Sequence, residues 1–439
     1  MTFHFSTPKQ FYFELREYVK KSDNFFIKAL ADFYVFLFVA CRRIKAYSSL
    51  PIFYFCRLLP LQDKIVATSY NGKKYGDNPQ FIVEQVHKLF PKTKIVWLKD
   101  SRYKYSTPDY IKNVSYYNYW RSAYELATAK VWINSHRFDI HIQKRPNQFF
   151  IETWHGGLGV KKVVYDNEKF HFNKIEIKKL KKTNLFADIF ISNSKHLTDI
   201  YSRAFKYTGP IWAVGYPKND ILFKKEEIEA NHQKIRAHFS LPQESKILVY
   251  APTFRGDFER SGIKNDIYSL NYNLLQETLN SSTHQSWNIL VRFHPLMTQI
   301  SKILLRNCPN VIDATQYPDS QELILGSDAF ISDYSSIIFD AAMANIPCFT
   351  FATDYTEYKE ERGLYYNLED LPFPLATTND ELITNITNFD KELYLKKWTQ
   401  FKKDMGLVET NHSAKDIALL IDDVMKNGKS ILKNYSFVL

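Results

Sequence analysis

Short apolar runs that alternate with helix-like stretches constrain the fold of this chain more than any other feature. From residue 61 onward the runs are KIVATSY (64–70), KIVWLKD (94–100), KVWINSH, QFFIETWHG and DIFISNS, and a long lysine-rich stretch precedes the last of them. Apolar strands that alternate with helices are typical of a parallel sheet covered on both faces. This series therefore predicts an open α/β unit, with helices over 78–90, near 120–129 and over 195–205.

The same pattern begins again after the stretch GPIWAVGYPKND. A polar helix-like stretch leads to KILVYAP, and the runs NILVRFHP, NVIDAT, DAFISDYSS and PCFTFATD follow. The chain has 439 residues, which is too many for one hydrophobic core. We therefore predict two α/β domains, at 61–217 and 218–439, with the linker near 216–220.

Residues 1–60 precede both series and are interpreted as a helical segment. The most apolar stretch, 25–41, contains two charged residues and is shorter than the roughly 20 apolar residues that a membrane span needs, so no transmembrane helix is expected. Three basic residues follow it: Arg42, Arg43 and Lys45. Together with the aromatic run PIFYFCRLLP (51–60), they favour a helix lying on an anionic membrane surface. The alternative is a helical hairpin packed on the protein's own core.

The charge balance suits anionic partners, although solvated lysines on ordinary helices explain most of the charge. The sequence has 58 Lys and Arg against 47 Asp and Glu, a net charge of +11, which suits nucleic acid, anionic lipid or phosphorylated substrates. Nucleic acid is disfavoured because no recognition motif accompanies the charge. The four cysteines are far apart and form no CxxC, which fits a reducing compartment. The first residues, MTFHFSTPKQ, do not resemble a secretory signal, so a cytoplasmic location is expected.

Histidine and glycine follow one strand of the first series, in TWHGGLG (153–159). Histidine is the side chain best suited to move a proton near neutral pH, and Gly156 and Gly157 let the backbone approach a ligand closely. Lys161 and Lys162 come next and can face phosphate. His155 is therefore a candidate catalytic residue; the alternative is a hydrogen-bonded histidine at a glycine turn.

Two strand ends of the second series carry further candidates. In VRFHP (291–295), Arg292 and His294 are two residues apart and share one face of an extended strand, where they can hold a pyrophosphate. A surface arginine and a capping histidine are the alternative. In APTFRGD (251–257), Thr253 and Arg255 are plausible phosphate ligands.

The stretch SDYSSIIFDAA (332–342) joins the end of an apolar strand to a helix-like run. Asp333, Ser335 and Ser336 stand at that junction, where free backbone N–H groups can bind phosphate. The alternative is ordinary capping. For Asp340, in the first turns, the helix dipole is a sufficient explanation.

Several common catalytic motifs do not occur in the sequence. It has no GxxxxGK[ST], no GxSxG, no HExxH, no GxGxxG after a strand and no DxD. We therefore expect neither a P-loop nor a bound metal or other cofactor.

Taken together and in order, these segments resemble the CDP-glycerol glycerophosphotransferase family of teichoic-acid and capsule polymerases. The resemblance covers about 60–428 and rests on a set of ordered pieces: YNGKKYGDNPQFI, ETWHGGLGVKKV, ISNSKHLTDIYSRAF, GPIWAVGYPKNDILF, YAPTFR, ILVRFHP, YPDSQELILGSDAFISDYSSIIFD and RGLYYNLEDLPFP. It implies a GT-B-like architecture of two facing Rossmann-type domains, with the nucleotide donor bound mainly by the second, and metal-independent catalysis.

The resemblance also implies roles for individual residues. The two functional histidines of the family fall on His155 and His294, and its donor-phosphate serines fall on Ser335 and Ser336. Four residues are expected on the acceptor side: Gly156, Gly157, Lys161 and Lys162. The implied donor is CDP-glycerol or CDP-ribitol, and the implied acceptor is a polyol phosphate or a lipid-linked saccharide at the inner face of the membrane.

Two departures from the family pattern leave details open. Members often read WHGTPLK where this chain has WHGGLGVKK, which matches a capsule-type branch better and leaves the acceptor open. Near the C-terminus the family tends to EDGxAS, whereas this chain has ETNHSA (409–414) with Asn411 in place of a glycine. Asparagine tolerates a left-handed conformation, so a helix cap can survive there.

The predicted reaction is attack by a terminal hydroxyl on the phosphorus that bears glycerol, with CMP as the leaving group. His155 is preferred over His294 as the general base, and Arg292 and His294 would neutralise the developing charge. A glycosyltransferase or nucleotide-sugar epimerase on the same fold is the first alternative. A non-catalytic scaffold that binds anionic polymer or lipid is the second.

Overall fold

A computed structural model describes residues 47–136, 143–167, 186–255, 269–294 and 297–438, together with isolated positions between 29 and 44 and at 177 and 181. Most of the apolar stretch 25–41 lies outside the described residues, as does most of the lysine-rich stretch. Three predicted membrane contacts lie outside them as well: Arg42, Arg43 and Lys45.

The first half of the chain forms a seven-stranded sheet in which every pair of neighbouring strands is parallel. Its strand order is β3-β2-β1-β4-β5-β6-β7. The strands are β1 (Gln62–Thr68), β2 (Lys94–Lys99), β3 (Ile111–Ser115), β4 (Ala129–Asn134), β5 (Phe149–Glu152), β6 (Ile189–Ser192) and β7 (Ile211–Ala213). The five predicted apolar runs are thus confirmed as parallel strands.

The second half forms a six-stranded parallel sheet of the order β10-β9-β8-β11-β12-β13. Its strands are β8 (Lys246–Ala251), β9 (Trp287–Val291), β10 (Val311–Asp313), β11 (Ala329–Ser332), β12 (Cys348–Phe351) and β13 (Leu375–Ala376). In both sheets the strand order reverses beside the first strand, between β1 and β4 and between β8 and β11. Loops that leave the carboxyl ends of strands at such a reversal border the usual ligand crevice.

Helices and short 3-10 turns connect the strands. The described helices are α1 (Ser49–Cys56), α2 (Asp77–Leu89), α3 (Tyr119–Thr128), α4 (Lys195–Ala204), α5 (Lys225–Phe239), α6 (Tyr272–Thr283), α7 (Thr298–Leu304), α8 (Ser320–Leu325), α9 (Ile337–Met343), α10 (Tyr355–Arg362), α11 (Asn379–Thr387), α12 (Lys391–Asp404) and α13 (Ser413–Asn427). The helices predicted over 78–90, near 120–129 and over 195–205 correspond to α2, α3 and α4. A 3-10 segment, Pro217–Phe223, occupies the predicted linker.

The hydrophobic core of the first sheet includes side chains from the far end of the chain. Ile417, Leu420 and Ile421 of α13 are buried in the same cluster as Trp97 and Trp132 of β2 and β4. Helix α13 therefore returns to the first sheet after the second sheet is complete. The domain division at residue 217 stays a prediction, but this helix of the C-terminal half packs in the N-terminal core.

The aromatic run 51–60 presents two different faces. Phe53 and Cys56 of α1 are buried in the core of the first sheet, whereas Phe55 and Leu58 are exposed. Trp120 Nε1 donates a hydrogen bond of 3.2 Å to the hydroxyl of Ser48, the residue before α1, and so further ties this segment to α3. Within the ranges given above, no helix combines the length and the apolar character needed to cross a membrane.

Candidate active site

His155 lies just beyond β5, and its imidazole is oriented by the neighbouring strand. Its Nδ1 lies 3.0 Å from the carbonyl oxygen of Ser135, the residue that follows β4. A carbonyl oxygen can only accept a hydrogen bond, so Nδ1 carries the proton and donates it to Ser135. In the neutral ring, Nε2 then has a lone pair that can accept a proton. The geometry is that of an oriented general base.

Three aromatic rings surround the imidazole of His155. Trp154, which adopts a positive φ of 51°, stacks on it with 4.4 Å between ring centroids. Tyr70 and His136 lie at centroid distances of 5.6 and 5.8 Å. Sequence reasoning assigned no role to Tyr70 or His136, although each follows a strand that ends at this edge of the sheet.

The glycines after His155 allow this loop to approach the second sheet. An ideal Cβ built on Gly156 would lie 4.0 Å from Oγ of Ser336. The carbonyl oxygen of Gly156 accepts a hydrogen bond of 3.1 Å from the hydroxyl of Tyr216. At Gly157 a Cβ would come within 3.1 Å of Asn193 Nδ2, so a side chain there would be crowded. The structure thus brings the predicted histidine loop next to the predicted phosphate-binding serines.

The two lysines after the glycines meet residues of the second half of the chain. The backbone of Lys161 bridges to Leu364, and the amide of Lys162 donates to the carbonyl oxygen of Gly363 at 3.1 Å. Burial lowers the pKa of Lys161 to about 8; Asp333 opposes this shift, and Arg255 adds to it. Two predicted donor-phosphate residues, Asp333 and Arg255, thus affect the charge of Lys161, although the sequence assigned this lysine to the acceptor side.

Arg292 and His294 directly follow β9. The guanidinium of Arg292 donates to the carbonyl oxygen of Tyr317 at 2.6 Å, and its pKa is lowered by burial. Although His294 keeps an exposed edge, desolvation of the ring lowers its pKa, and the neighbouring cations Lys161, Lys73 and Arg292 lower it further. The imidazole of His294 is therefore neutral near pH 7. It stacks on Phe254 at 5.3 Å between centroids.

Arg255 is held by ion pairs within the protein. It donates from Nε and Nη2 to the two carboxylate oxygens of Asp354, at 2.8 and 2.9 Å. Its Nη1 lies 2.9 Å from Asp333, and the same nitrogen donates to the carbonyl oxygen of Thr253. Asp333 in turn accepts the backbone N–H of Thr253 at 2.9 Å. This geometry favours a structural role for Arg255 and Asp333, and their contact with a phosphate stays a prediction.

Ser335 and Ser336 precede α9, as predicted. The hydroxyl of Ser335 is 3.5 Å from the amide of Ile337, at the outer limit of a hydrogen bond. Ser336 is the N-cap residue of α9, but its side chain makes no capping hydrogen bond. Capping therefore does not account for the hydroxyl of Ser336, which faces the Gly156 loop.

Asp340 forms a buried polar network that the sequence did not reveal. The helix dipole was a sufficient explanation for this residue, but its carboxylate pairs with Lys218 from the linker segment and accepts from Gln321 Nε2 at 3.0 Å. Lys218 and Asp340 are both more than nine-tenths buried. Their pairing joins the segment after β7 to a helix of the second sheet.

Glu409 connects three segments that are distant in sequence. It accepts hydrogen bonds from Asn193 Nδ2 at 2.7 Å, from Asn219 Nδ2 at 2.8 Å and from the amide of Tyr216 at 2.9 Å. Burial raises the pKa of Glu409 to about 7, although these hydrogen bonds oppose the shift. The sequence signal that could have pointed to Glu409 is the glutamate of the family pattern EDGxAS, which falls on this residue.

Asn411, in the same stretch, is exposed, and its φ is not positive. The left-handed conformation considered for this residue is therefore not used. The N-terminus of α13 is capped instead by the carboxylate of Asp220, which accepts from the amides of Ser413 and Ala414 at 3.0 and 2.8 Å.

The loop after β1 adds further polar groups to the same region. Tyr70, Asn71 and Gly72 have positive φ values of 48°, 57° and 80°. Lys74 lies four residues beyond Tyr70. Burial lowers the pKa of Lys74, and the nearby guanidinium of Arg292 lowers it further. Sequence reasoning assigned no role to Lys74, because two adjacent lysines are typical of a solvated surface.

Chemically, the site combines an oriented imidazole, a second neutral imidazole and several lysine and arginine cations. Such a set can accept a proton from a hydroxyl and bind a group that carries phosphate. In the described ranges, no cluster of three or more His, Cys, Asp and Glu side chains is placed to hold a metal ion.

The structural class is α/β: two parallel sheets have a Rossmann-type strand order, and polar side chains gather at the ends of their strands. Residues 52–421 match the family model described as CDP-glycerol:poly(glycerophosphate) glycerophosphotransferase. The match covers most of the chain, which belongs to this family.

Characterised relatives agree with this membership. The chain is 30% identical over 374 residues to a teichoic acid poly(glycerol phosphate) polymerase of Staphylococcus epidermidis, a match that covers 82% of this chain and 51% of that protein. It is 30% identical over 378 residues to a polymerase of the same description from Bacillus spizizenii, covering 80% of this chain and 93% of that protein. The chain spans about half the length of the S. epidermidis polymerase and of a similar Bacillus subtilis polymerase.

Solved structures show the same fold. The wall teichoic acid polymerase TagF is 29% identical, with a TM-score of 0.72 over 83% of this chain and 90% of that chain. A variant of TagF soaked for 15 minutes with CDPG is 28% identical and has the same TM-score and coverage.

Proposed function

We propose that this protein transfers glycerol phosphate from CDP-glycerol to a terminal hydroxyl of a polyol-phosphate chain and releases CMP. The observation that carries the proposal is the approach of the His155 loop to Ser336, with a Cβ on Gly156 only 4.0 Å from the serine hydroxyl. The proposed base and the proposed phosphate-binding segment therefore belong to adjacent loops. The polymerases and the CDPG-soaked TagF variant named above support the choice of substrate.

In the proposed reaction, the acceptor hydroxyl oxygen attacks the phosphorus that bears glycerol. The new oxygen–phosphorus bond forms as the bond from that phosphorus to the bridging oxygen breaks, and CMP departs with the bridging oxygen. The hydroxyl proton passes to Nε2 of His155. Arg292 stabilises the negative charge on the phosphoryl oxygens, and the neutral ring of His294 can donate a hydrogen bond to the departing phosphate.

A GT-B-like arrangement, in which the carboxyl ends of the two sheets face each other across one cleft, is the second part of the proposal. Contacts between the halves support it: the Lys161–Leu364 bridge, the Asn193–Glu409 hydrogen bond and the neighbouring Gly156 and Ser336. We propose domains at 61–217 and 218–439, with α13 packed back on the first.

The third part of the proposal places the protein at the inner face of the membrane, where a lipid-linked acceptor is accessible. Phe55 and Leu58 are 69% and 81% exposed, and Trp120 of the adjoining helix is 58% exposed. Arg57 lies between the first two in sequence. Exposed aromatic and aliphatic side chains beside a cation favour an anionic membrane interface.

The test is transfer from CDP-glycerol to a synthetic glycerol-phosphate oligomer, with product masses read by mass spectrometry. We expect a ladder of added units with a polymerase and one unit with a primase; either result supports the transfer. Turnover of UDP-sugars in place of CDP-glycerol would favour the glycosyltransferase alternative. Absence of CDP-glycerol binding in calorimetry would favour the scaffold.

The base is tested by His155→Asn. The asparagine amide can still donate to the Ser135 carbonyl from the position of Nδ1, but it has no counterpart of Nε2. We expect kcat to fall about 100-fold or more while CDP-glycerol binding persists. His87→Asn, in the last turn of α2, is the matched control and should keep parental turnover. Near-parental kcat in His155→Asn would exclude this residue as the base.

A further inference from the structure

The loop between β1 and α2 is fixed by its own backbone contacts. The carbonyl oxygen of Gly72 accepts from the amide of Asp100 and from the hydroxyl of Tyr105, each at 2.7 Å. A Cβ on Gly72 would lie only 2.6 Å from the Asp100 nitrogen, so no other residue fits there. Ser69 Oγ donates to the carbonyl oxygen of Lys74 at 2.8 Å and closes the loop. The fixed backbone holds Lys74 in one place.

The side chain of Lys74 folds back over Gly76. An ideal Cβ on Gly76 would lie 2.7 Å from Cε and 3.3 Å from Nζ of the lysine. The side chain is half-buried, and in the described part of the chain its ammonium makes no hydrogen bond or ion pair. A half-buried cation without a partner carries a desolvation cost that an anionic ligand can offset.

The charges around Lys74 leave this ammonium available to a ligand. Its pKa is lowered by burial, and Arg292 and Lys218 contribute in the same direction, whereas Asp319 and Asp77 oppose the shift. Asp319 is already engaged, because it caps α8 by accepting the amides of residues 321 and 322. Lys218 is committed to Asp340. Neither Asp319 nor Asp77 forms an ion pair with the Lys74 ammonium, which therefore stays accessible to an anionic ligand.

We propose that Lys74 binds the phosphodiester of the last polyol-phosphate unit of the acceptor and thereby selects acceptors that already carry such a unit. This inference rests on the proposed function. It adds a specificity residue on the acceptor side of the same site.

The position of Lys74 favours the acceptor over the donor. Lys74 shares its loop with Tyr70, whose ring lies 5.6 Å from that of His155, the proposed base. The acceptor hydroxyl must bind beside the base, and in a glycerol-phosphate chain the last phosphodiester is only a few bonds from that hydroxyl. The residues proposed to bind the donor phosphates, Ser336 and Arg292, belong to the other half of the chain. A lysine ammonium suits a phosphodiester, which carries one diffuse negative charge.

Two variants test the proposal by different means. Lys74→Met removes the charge and keeps the length of the side chain. Gly76→Ala keeps the lysine but displaces its ammonium, because the new methyl group would overlap Cε. The overlap involves only the flexible end of a side chain, so the fold should tolerate it. Lys88→Met, an exposed lysine at the end of α2, is the matched control.

The readouts are KM for a glycerol-phosphate oligomer, KM for a saccharide acceptor without phosphate, and KM for CDP-glycerol. We expect both variants to raise the first about tenfold or more and to leave the other two within about twofold. Lys74→Arg should recover most of the loss. A rise confined to the KM for CDP-glycerol would assign the ammonium to the donor and overturn the proposal, as would equal effects on both acceptors.

Binding of the oligomer by calorimetry separates this inference from the proposed function, because it needs no turnover. If the parent transfers no glycerol phosphate, the proposed function fails. Tighter oligomer binding by the parent than by Lys74→Met would then still support the phosphate site, and equal binding would refute it.

Discussion

Asn193 and Glu409 are 216 residues apart in sequence and are joined by a hydrogen bond of 2.7 Å. Asn193 follows β6 of the first sheet, whereas Glu409 follows α12 in the second half of the chain. The carboxylate also accepts from Asn219 in the segment that links the two halves. This one side chain therefore couples both sheets to the linker, so its protonation state should affect how firmly they are joined.

We predict that Glu409→Gln changes how stability depends on pH. The folded protein keeps the proton of Glu409 up to a pH of about 7, whereas an unfolded chain releases it near 4.5. The folded state thus binds more protons between these values, and its stability falls as pH rises through that window. The stabilising contribution of the protonated side chain is complete below pH 4.5 and is lost above about 7.

Thermal unfolding between pH 5 and pH 8 provides the measurement. The Gln variant stays neutral throughout, so its Tm should approach that of the parent at pH 5 and exceed it at pH 8. Asn193 can turn to accept from the new amide, since its Oδ1 has no hydrogen-bond partner in the ranges described. A constant difference in Tm across the range would contradict the assigned pKa.

Asp220→Ala should loosen the return of the last helix to the first sheet. The carboxylate accepts two backbone amides at the start of α13, and loss of an N-cap costs about 1 kcal/mol, up to about 2 in well-ordered sites. Urea unfolding measures the change. Asp390→Ala is the matched control, because Asp390 caps α12 by accepting the amide of Leu393 from an exposed position. Hydrogen exchange should rise in α13 only for the first variant, and equal protection of α13 in both would contradict the coupling.

The sequence predicted the parts of this fold that follow from local pattern. Apolar runs marked the long central strands, and the residues that end them, such as His155 and Ser336, were identified because ligands bind where parallel strands end. Strands β3, β7 and β13 were missed: the first has two exposed polar positions, and the other two have only three and two residues. None of them carries a long continuous apolar signal.

The part of the site that could not be predicted from the sequence consists of contacts between distant segments. Nothing local pairs Lys218 with Asp340, since each residue alone fits a solvated or helix-terminal position. Lys74 likewise resembles an ordinary surface lysine until the left-handed turn at Tyr70 and Asn71 is known. Such pairings depend on how the two sheets pack, which hydrophobic periodicity does not encode.

Deprotonation of Lys161 at alkaline pH should lower the affinity of the protein for phosphate-bearing ligands. With a pKa of about 8 the ammonium is protonated at pH 7 and mostly neutral at pH 9, so phosphate binding should weaken by up to roughly tenfold over this range. Calorimetry with CDP at pH 7, 8 and 9 measures the effect without turnover. Lys161→Arg, which keeps its charge, should bind CDP with nearly constant affinity. A parallel fall in both proteins would mean that another group titrates.

The exposed apolar side chains of the α1 segment should determine membrane binding if the proposed location is correct. Phe55→Ser with Leu58→Ser removes two large side chains that the core does not bury, so the fold should persist while partitioning onto anionic liposomes falls about tenfold or more. Co-sedimentation with vesicles of stated anionic content measures this. Ile303→Ser, 65% exposed on α7, is the matched control and should sediment like the parent. Transfer to a short soluble acceptor should stay unchanged in the double variant. If that variant sediments as fully as the parent, the α1 segment is not the membrane contact.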